Sequence, residues 1–441
     1  MSCSSHRASS AWLTLAGGLL ALGVTAPDDS DSNAAPYGGV GDPALLLPGA
    51  REVPAPGSPE ACRARRAALA AELGDGVFLS HAGEDADARF QSDEDFHWLT
   101  GLHRPDAVLV LVAREGELVE DTLYLPVQTE RQRTWEGPKL SPADLGPDGG
   151  PFSAVRPIED LDLAGLAELA GPRGVHAVDE AAIAALVEAE VEVRRGRTAL
   201  NRLQVVKSPA ELAALEAAVD ITQAALADAM IVATPGAWEY QAEAAIEGGF
   251  RRRGSEFLAF PSICGSGVNS CYLHYRANQR RLEEGDLLLL DVGANYEGYC
   301  ADVTRTIPVS GRFSDRQREI YTLVWEAQKL AEEQLRPGVT MRDLHNAVVE
   351  YFDERGVRQH FKHGLGHQLG VRVHDVPGFR GKLEPGMVVT IEPGLYLVDE
   401  ALGVRIEDDF VVTEDGCRRL SDSIPSAPEA LEAYLERLRA R

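Results

Sequence analysis

Apolar residues first gather in one block, Ala11 to Val24, with His6 and Arg7 before it and Val24-Thr25-Ala26 at its end. A basic start, a short apolar run and small residues predict a secretory signal peptide over residues 1–26. The run is shorter than the roughly 20 apolar residues of a membrane-spanning helix. Residues 27–58 mix Pro, Gly, Asp, Ser and Ala without periodicity and read as a flexible linker. From about Glu60, helically spaced Ala, Arg and Leu lead into Gly76–Ser80, which reads as a strand. Ala107–Ala113 and Thr122–Val127 read as further buried strands, with helical stretches at 160–170 and 180–196. Strands alternating with helices predict an α/β domain over residues 59–200.

A second domain, residues 201–441, opens at Lys207-Ser208-Pro209-Ala210-Glu211. Ser208 is placed to cap a helix, with Pro209 at its first position and Glu211 three residues on. That helix runs to about Thr234, and another spans Glu239 to Arg252. Strands and hairpins dominate from Glu256, interrupted by helices at 314–334 and 341–355 and closed by a helix from Pro428 to Arg441.

Composition narrows the picture only a little. At 441 residues two folded domains are expected, and 44% hydrophobic content supplies their cores. A net charge of -26 excludes a nucleic-acid partner, because phosphate binding needs clustered Lys and Arg. It mildly favours cationic ligands such as peptide N-termini. Six cysteines in a chain this long are no disulfide scaffold. Cys264 and Cys271 are near enough in sequence to meet across a turn, but buried free thiols are the plainer reading.

The acids carry more information. Leu287–Leu290 is an apolar run ending at Asp291; the chain turns through Asn295-Tyr296-Glu297-Gly298, and a second strand, Tyr299–Ile307, carries Asp302. Pairing symmetric about Tyr296 and Glu297 predicts Asp291 directly opposite Asp302, with Cβ atoms roughly 4.5–5.5 Å apart. Likewise Met387–Ile391 ends at Glu392, and Gly403–Val412 carries Glu407; a loop centred on Asp399 and Glu400 sets Glu392 opposite Glu407. Acids on a solvated hairpin face would explain either pair alone. Each first acid, however, ends an apolar strand, and facing buried carboxylates repel unless a cation joins them or one stays protonated.

His363-Gly364-Leu365-Gly366-His367-Gln368-Leu369-Gly370, followed by His374-Asp375, adds imidazoles and glycines beyond what packing requires. Its spacing admits His363 and His367 as ligands, although the Glu of a zinc-helix motif is absent. Four carboxylates and an imidazole suit Mn²⁺ first, with Co²⁺, Fe²⁺ or Zn²⁺ as alternatives. Charge balance points to two divalent ions with a bridging hydroxide between them. Arg405 lies two residues before Glu407 on the same strand face, where a cation orients carboxylates.

These segments, with Leu273-His274-Tyr275, Asp302-Val303-Thr304-Arg305-Thr306, Glu392-Pro393-Gly394-Leu395-Tyr396 and Gly403 through Asp409, resemble the pita-bread metallopeptidases. Among these the resemblance is to Xaa-Pro aminopeptidases (aminopeptidase P) and prolidases, over roughly residues 60 to 425. It implies an aminopeptidase P-like α/β N-terminal domain followed by an α+β pita-bread (creatinase/aminopeptidase) catalytic domain. It further implies that Asp291 chelates one metal, that His367 and Glu392 hold the other, and that Asp302 and Glu407 bridge both. His274 and His374 resemble the family's proton-shuttling and substrate-contacting histidines, and Glu392 its general base. His363 is implied to line the substrate pocket rather than bind metal. The implied reaction removes the N-terminal residue of peptides with proline second; prolidase action on Xaa-Pro dipeptides is the alternative. A metal-free binding protein or creatinase-like hydrolase on this fold would have lost several of these ligands. A homodimer or homotetramer and, from the signal peptide, export to the periplasm or medium complete the expectations; without a signal peptide the expected location is the cytoplasm.

Overall fold

The computed structural model describes residues 55–84, 90–145 and 149–440. The expected signal peptide, and the linker up to residue 54, lie outside them.

Ser58 caps the first helix, α1 (Pro59–Leu73), accepting from the Ala61 amide, and β1 (Gly76–His81) follows. Helix α2 (Glu94–Thr100), capped by Asp93, precedes β2 (Val108–Arg114) and β3 (Glu117–Leu125). Next come α3 (Glu130–Glu136), β4 (Ala154–Pro157), α4 (Leu163–Ala170) and β5 (Val175–Ala177). Helix α5 (Glu180–Glu188), β6 (Val193–Arg195) and α6 (Arg197–Gln204) end this half. Its six strands form one mixed sheet ordered β4-β3-β2-β1-β5-β6. Strand β2 shows why the run reads as continuously apolar. Leu109 and Leu111 enter one core while Val108, Val110 and Val112 enter another, so both sheet faces are covered.

The expected helix over 180–196 is shorter than its pattern. It stops at Glu188, Glu190 turns the chain at φ 58°, and β6 pairs in parallel with β5. A three-residue strand is too short to show alternation, so the preceding helical pattern masked it.

The second half begins with α7 (Pro209–Val232), whose capping box joins Ser208 and Glu211, and α8 (Glu239–Arg252). Short β7 (Phe257–Leu258) and β8 (Ile263–Ser266) lead to β9 (Leu287–Val292). Strands β10 (Ala294–Tyr296), β11 (Tyr299–Cys300) and β12 (Val303–Pro308) complete the first hairpin. A second helix pair, α9 (Asp315–Gln334) and α10 (Met341–Glu354), then precedes a second hairpin. That hairpin comprises β13 (Val388–Ile391), β14 (Gly394–Leu397), β15 (Leu402–Arg405) and β16 (Asp408–Val412). Strand β17 (Cys417–Arg419) and α11 (Pro428–Arg439) close the chain. Leu288, Leu290, Val389, Ile391 and Phe410 share one core with Ile320 and Val324 of α9, so both acid-bearing hairpins rest on one apolar base.

Register corrects the first hairpin. Strand β9 pairs with β12 so that Asp291 faces Thr304, not Asp302. The reason is the turn: Tyr296 pairs with Tyr299 around Glu297 and Gly298, which have φ of 49° and 80°. A two-residue turn of positive φ is the tight connection that matches strand twist. The slip is two residues, so Asp302 keeps the sheet face of Asp291 as its diagonal neighbour. In the second hairpin Ile391 faces Asp408 and Gly394 faces Arg405, one common register. Glu392 and Glu407 occupy facing positions in the gap between those two ladders.

The five described cysteines, Cys62, Cys264, Cys271, Cys300 and Cys417, are all free thiols, so Cys264 and Cys271 do not pair. Among the described residues no helix is long and apolar enough to cross a membrane.

Candidate metal centre

Strand β13 is the scaffold on which the histidine segment is built. The Glu392 amide donates to Leu365 O at 2.8 Å, Thr390 N to His367 O at 2.9 Å, and Leu369 N to Val388 O at 3.0 Å. This pins residues 365–369 along the strand and sets His367 beside Glu392. Gly366 makes the approach feasible, since a Cβ there would collide with the Thr390 backbone. The His367 Nδ1–H donates to Gln368 O at 3.0 Å, which turns the Nε2 lone pair toward the acids. Nε2 stands 3.5 Å from Asp302 Oδ2 and 3.7 Å from Glu392 Oε1.

Asp302, His367 and Glu407 each present a ligand atom within 4.8 Å of the others. Asp291 and Glu392 line the same cavity of about 590 Å³, as do His274, His363, His374 and Arg405. Phe260, Ile263, Leu273 and Val373 supply its apolar lining. The structure thus brings every sequence-predicted site residue to one cavity.

Arg405 ties the acids together. Its Nη2 meets Asp291 Oδ2 at 2.5 Å, and Nε donates to Thr304 Oγ1 at 3.2 Å. Thr304 in turn donates to Glu407 Oε2 at 2.8 Å. Nη1 donates to the Tyr396 hydroxyl at 2.9 Å, and that hydroxyl donates to His363 Nε2 at 2.8 Å. The other His363 nitrogen, Nδ1, donates to Gly364 O at 2.8 Å, so both ring nitrogens are engaged. Burial, then Arg405, hold His363 down to about 4, so it is neutral near pH 7.

The acids strain against each other. Burial, then Asp291, Asp409 and Glu392, push Asp302 well above the carboxylate range. Burial, then Asp302, Glu392 and Asp291, do the same to Glu407. Burial pushes Glu392 up to about 7. Burial opposes the charge of Arg405, but Tyr396, Asp291 and Glu407 outweigh it and hold its pKa well above the ordinary value. One guanidinium does not neutralise four carboxylates. Moreover, Asp291 Oδ1 and Asp302 Oδ1 are buried without a hydrogen-bond partner. Buried acceptors of this kind are costly unless a cation or donor meets them. The donor set, carboxylates with one oriented imidazole, therefore fits hard to borderline divalent cations.

A pH-dependent stability follows from those directions. In the metal-free fold Asp302, Glu392 and Glu407 bind protons more readily than in the unfolded chain. Their contribution is favourable at low pH and is lost as pH rises from the usual carboxylate range through the folded value, about 7 for Glu392. Cations replace those protons. The gain in Tm on adding Mn²⁺ is thus expected to be larger at pH 8 than at pH 5.5. A gain that grows toward acid would contradict this. His97, held down to about 4 by burial and then by His103, lies outside the cluster and cancels in that difference.

Sequence reasoning assigned no role to Thr304, Tyr396 or Asp409, whose carboxylate accepts from the Asp302 amide at 3.1 Å. The period-two rule pointed to two of them: Thr304 follows Asp302, and Asp409 follows Glu407, by two residues.

Residues 213–414 match metallopeptidase family M24, and residues 62–166 match the aminopeptidase P N-terminal domain. The chain belongs to metallopeptidase family M24. It is 34% identical over 401 residues to Xaa-Pro aminopeptidase of Escherichia coli, covering 80% of this chain and 90% of that one. It is 36% identical over 436 residues to Xaa-Pro aminopeptidase 1 of Streptomyces coelicolor, covering 85% and 87%. The fold superposes on Escherichia coli aminopeptidase P with the inhibitor Pro-Leu at a TM-score of 0.78 and 31% identity. That match covers 87% of this chain and 99% of the other. The M24 match spans both acid-bearing hairpins, and the N-terminal match falls within the six-stranded sheet domain.

Proposed function

We propose that this M24 chain is a metal-dependent aminopeptidase that hydrolyses the bond between an N-terminal residue and a penultimate proline. Two divalent cations serve it, Mn²⁺ foremost, with Co²⁺, Zn²⁺ or Fe²⁺ as alternatives. The observation that carries the reading is the convergence of Asp302, His367 and Glu407, beside orphaned oxygens of Asp291 and Asp302, in one cavity. Relatives matching most of the chain are named Xaa-Pro aminopeptidases.

Asp291, Asp302, His367, Glu392 and Glu407 would hold the cations. Bound there, the cations supply polarisation of the peptide carbonyl and activation of water. Glu392 takes and returns the water's proton, and its side chain is 19% exposed, open to exchange. Arg405 fixes Asp291, while its contact with Tyr396 holds His363 in a single tautomer. His274 and His374 line the cavity where a donor to the scissile carbonyl and a proton carrier to the leaving nitrogen are needed. The Xaa-Pro bond has no N–H to satisfy, so apolar Leu273 and Val373 suit the proline ring.

Mn²⁺-loaded protein is expected to cleave Xaa-Pro-Yaa tripeptides and to prefer them to Xaa-Pro dipeptides. Cleavage restricted to dipeptides would make it a prolidase, and no metal-dependent cleavage of either would overturn the reading. A homodimer or homotetramer is proposed, testable by light scattering. Export through residues 1–26 is proposed too, and N-terminal sequencing of secreted protein tests it.

A further inference from the structure

His374 rides on a small hairpin. The Asp375 amide donates to Gln368 O at 3.0 Å and Gly370 N to Arg372 O at 3.1 Å, so residues 368–375 fold back on themselves. The His374 ring stands edge-on to His367, with centroids 4.2 Å apart and planes at 81°. At its tip the Cys300 amide donates to Gly370 O at 2.9 Å and the Cys300 thiol to Val371 O at 3.6 Å. Ion pairs to outside elements fix the arm that carries His374. Lys207, in the segment joining the two halves, reaches Asp375 Oδ2 at 3.1 Å, both side chains buried. Arg372 reaches Asp95 Oδ2 of the N-terminal helix α2 at 2.6 Å, with Glu94 Oε2 of the same helix farther off at 3.6 Å.

Asp95 is 0% exposed and serves two arginines. Arg197 of α6 also meets Oδ2 at 2.6 Å, and Gln204 donates to Oδ1 at 2.8 Å. Burial opposes its charge, but Arg372 and Arg197 outweigh burial and hold the carboxyl below its ordinary value. One of these arginines lies two residues from His374; the other stays within the N-terminal half. The carboxylate end of this ion pair is fully buried, and a shift of about 1 Å in a reacting group can cost roughly 10²-fold in rate.

We propose that Asp95 is a positioning residue for catalysis: through Arg372 it fixes the hairpin that holds His374 against His367. The N-terminal half thereby acts on the site of its own chain, beyond capping its sheet. The inference rests on the aminopeptidase reading only for its kinetic part.

The test uses the full chain. Asp95→Asn and Arg372→Gln are expected to lower kcat roughly 10–100-fold with KM within about twofold and bound Mn²⁺ unchanged. Arg372→Lys keeps the charge and should recover most of the lost kcat. Arg197→Gln removes the partner that does not touch the hairpin and should leave kcat near wild type. Hydrogen exchange on metal-free protein gives a second readout: amides of residues 368–376 should exchange faster in Asp95→Asn and Arg372→Gln, and not in Arg197→Gln. Equal losses in Arg197→Gln and Arg372→Gln would reduce Asp95 to a structural role and overturn the proposal. Wild-type kcat and exchange in Arg372→Gln would do the same. Wild-type protein that cleaves no Xaa-Pro peptide would sink the functional reading alone, leaving the exchange experiment to decide this one.

Discussion

Asp302→Ala is expected to lower kcat/KM on Xaa-Pro-Yaa peptides by at least roughly 10³-fold, the scale of a lost metal-assisted step. Asp302 supplies one corner of the three-residue cluster, and its Oδ1 is one of the two orphaned acceptors at the site. The same substitution should act oppositely on stability. Burial and the charges of Asp291, Asp409 and Glu392 all disfavour the ionised Asp302 side chain. Removing it takes away a buried acid that is costly to ionise in the metal-free protein while removing a ligand from the loaded one. Melting with and without Mn²⁺ should therefore show a variant no less stable than wild type when stripped, and stabilised far less by the ion. Full metal-dependent turnover in Asp302→Ala would exclude it as a ligand.

The second large effect lies behind the ligands. Arg305 is 0% exposed and donates to Thr304 O, Glu407 O, Ser421 O and Ile424 O, and to Asp408 Oδ1 at 2.6 Å. Two of these carbonyls belong to Glu407 and to the residue that bonds its carboxylate. Arg305→Met keeps the apolar stem but leaves Asp408 short of its nearest cation. Breaking a buried pair in this way costs about 3–5 kcal/mol. Urea unfolding should show that loss, accompanied by weaker Mn²⁺ binding as the Glu407 backbone loosens. A loss below about 1 kcal/mol would mean that Arg419, 3.3 Å from Asp408, neutralises it unaided.

What was legible in the residues followed local periodicity. Leu287–Leu290 and Met387–Ile391 announced buried strands because a sheet covered on both faces selects near-continuous apolar runs, which Thr390 alone interrupts. Ser208 and Glu211 announced α7 because a capping box is chemistry within four residues. Glu392 was placed opposite Glu407 by symmetry alone, and the ladders on either side keep that register. The first hairpin slipped by two because its turn was set by positive φ at Glu297 and Gly298. Face survived the slip; the directly opposed partner did not.

Alternation and spacing by themselves determined which acids share a sheet face and which histidine segment accompanies them, since those are properties of a few consecutive residues. The tertiary structure alone decided how the two hairpins meet, that Arg405 bonds Asp291 rather than its strand neighbour Glu407, and that Tyr396 holds His363. It alone joined Asp95 to Arg372. Such contacts depend on how separate elements pack on a common core, and no local pattern encodes the distance between side chains that meet only after the chain has closed.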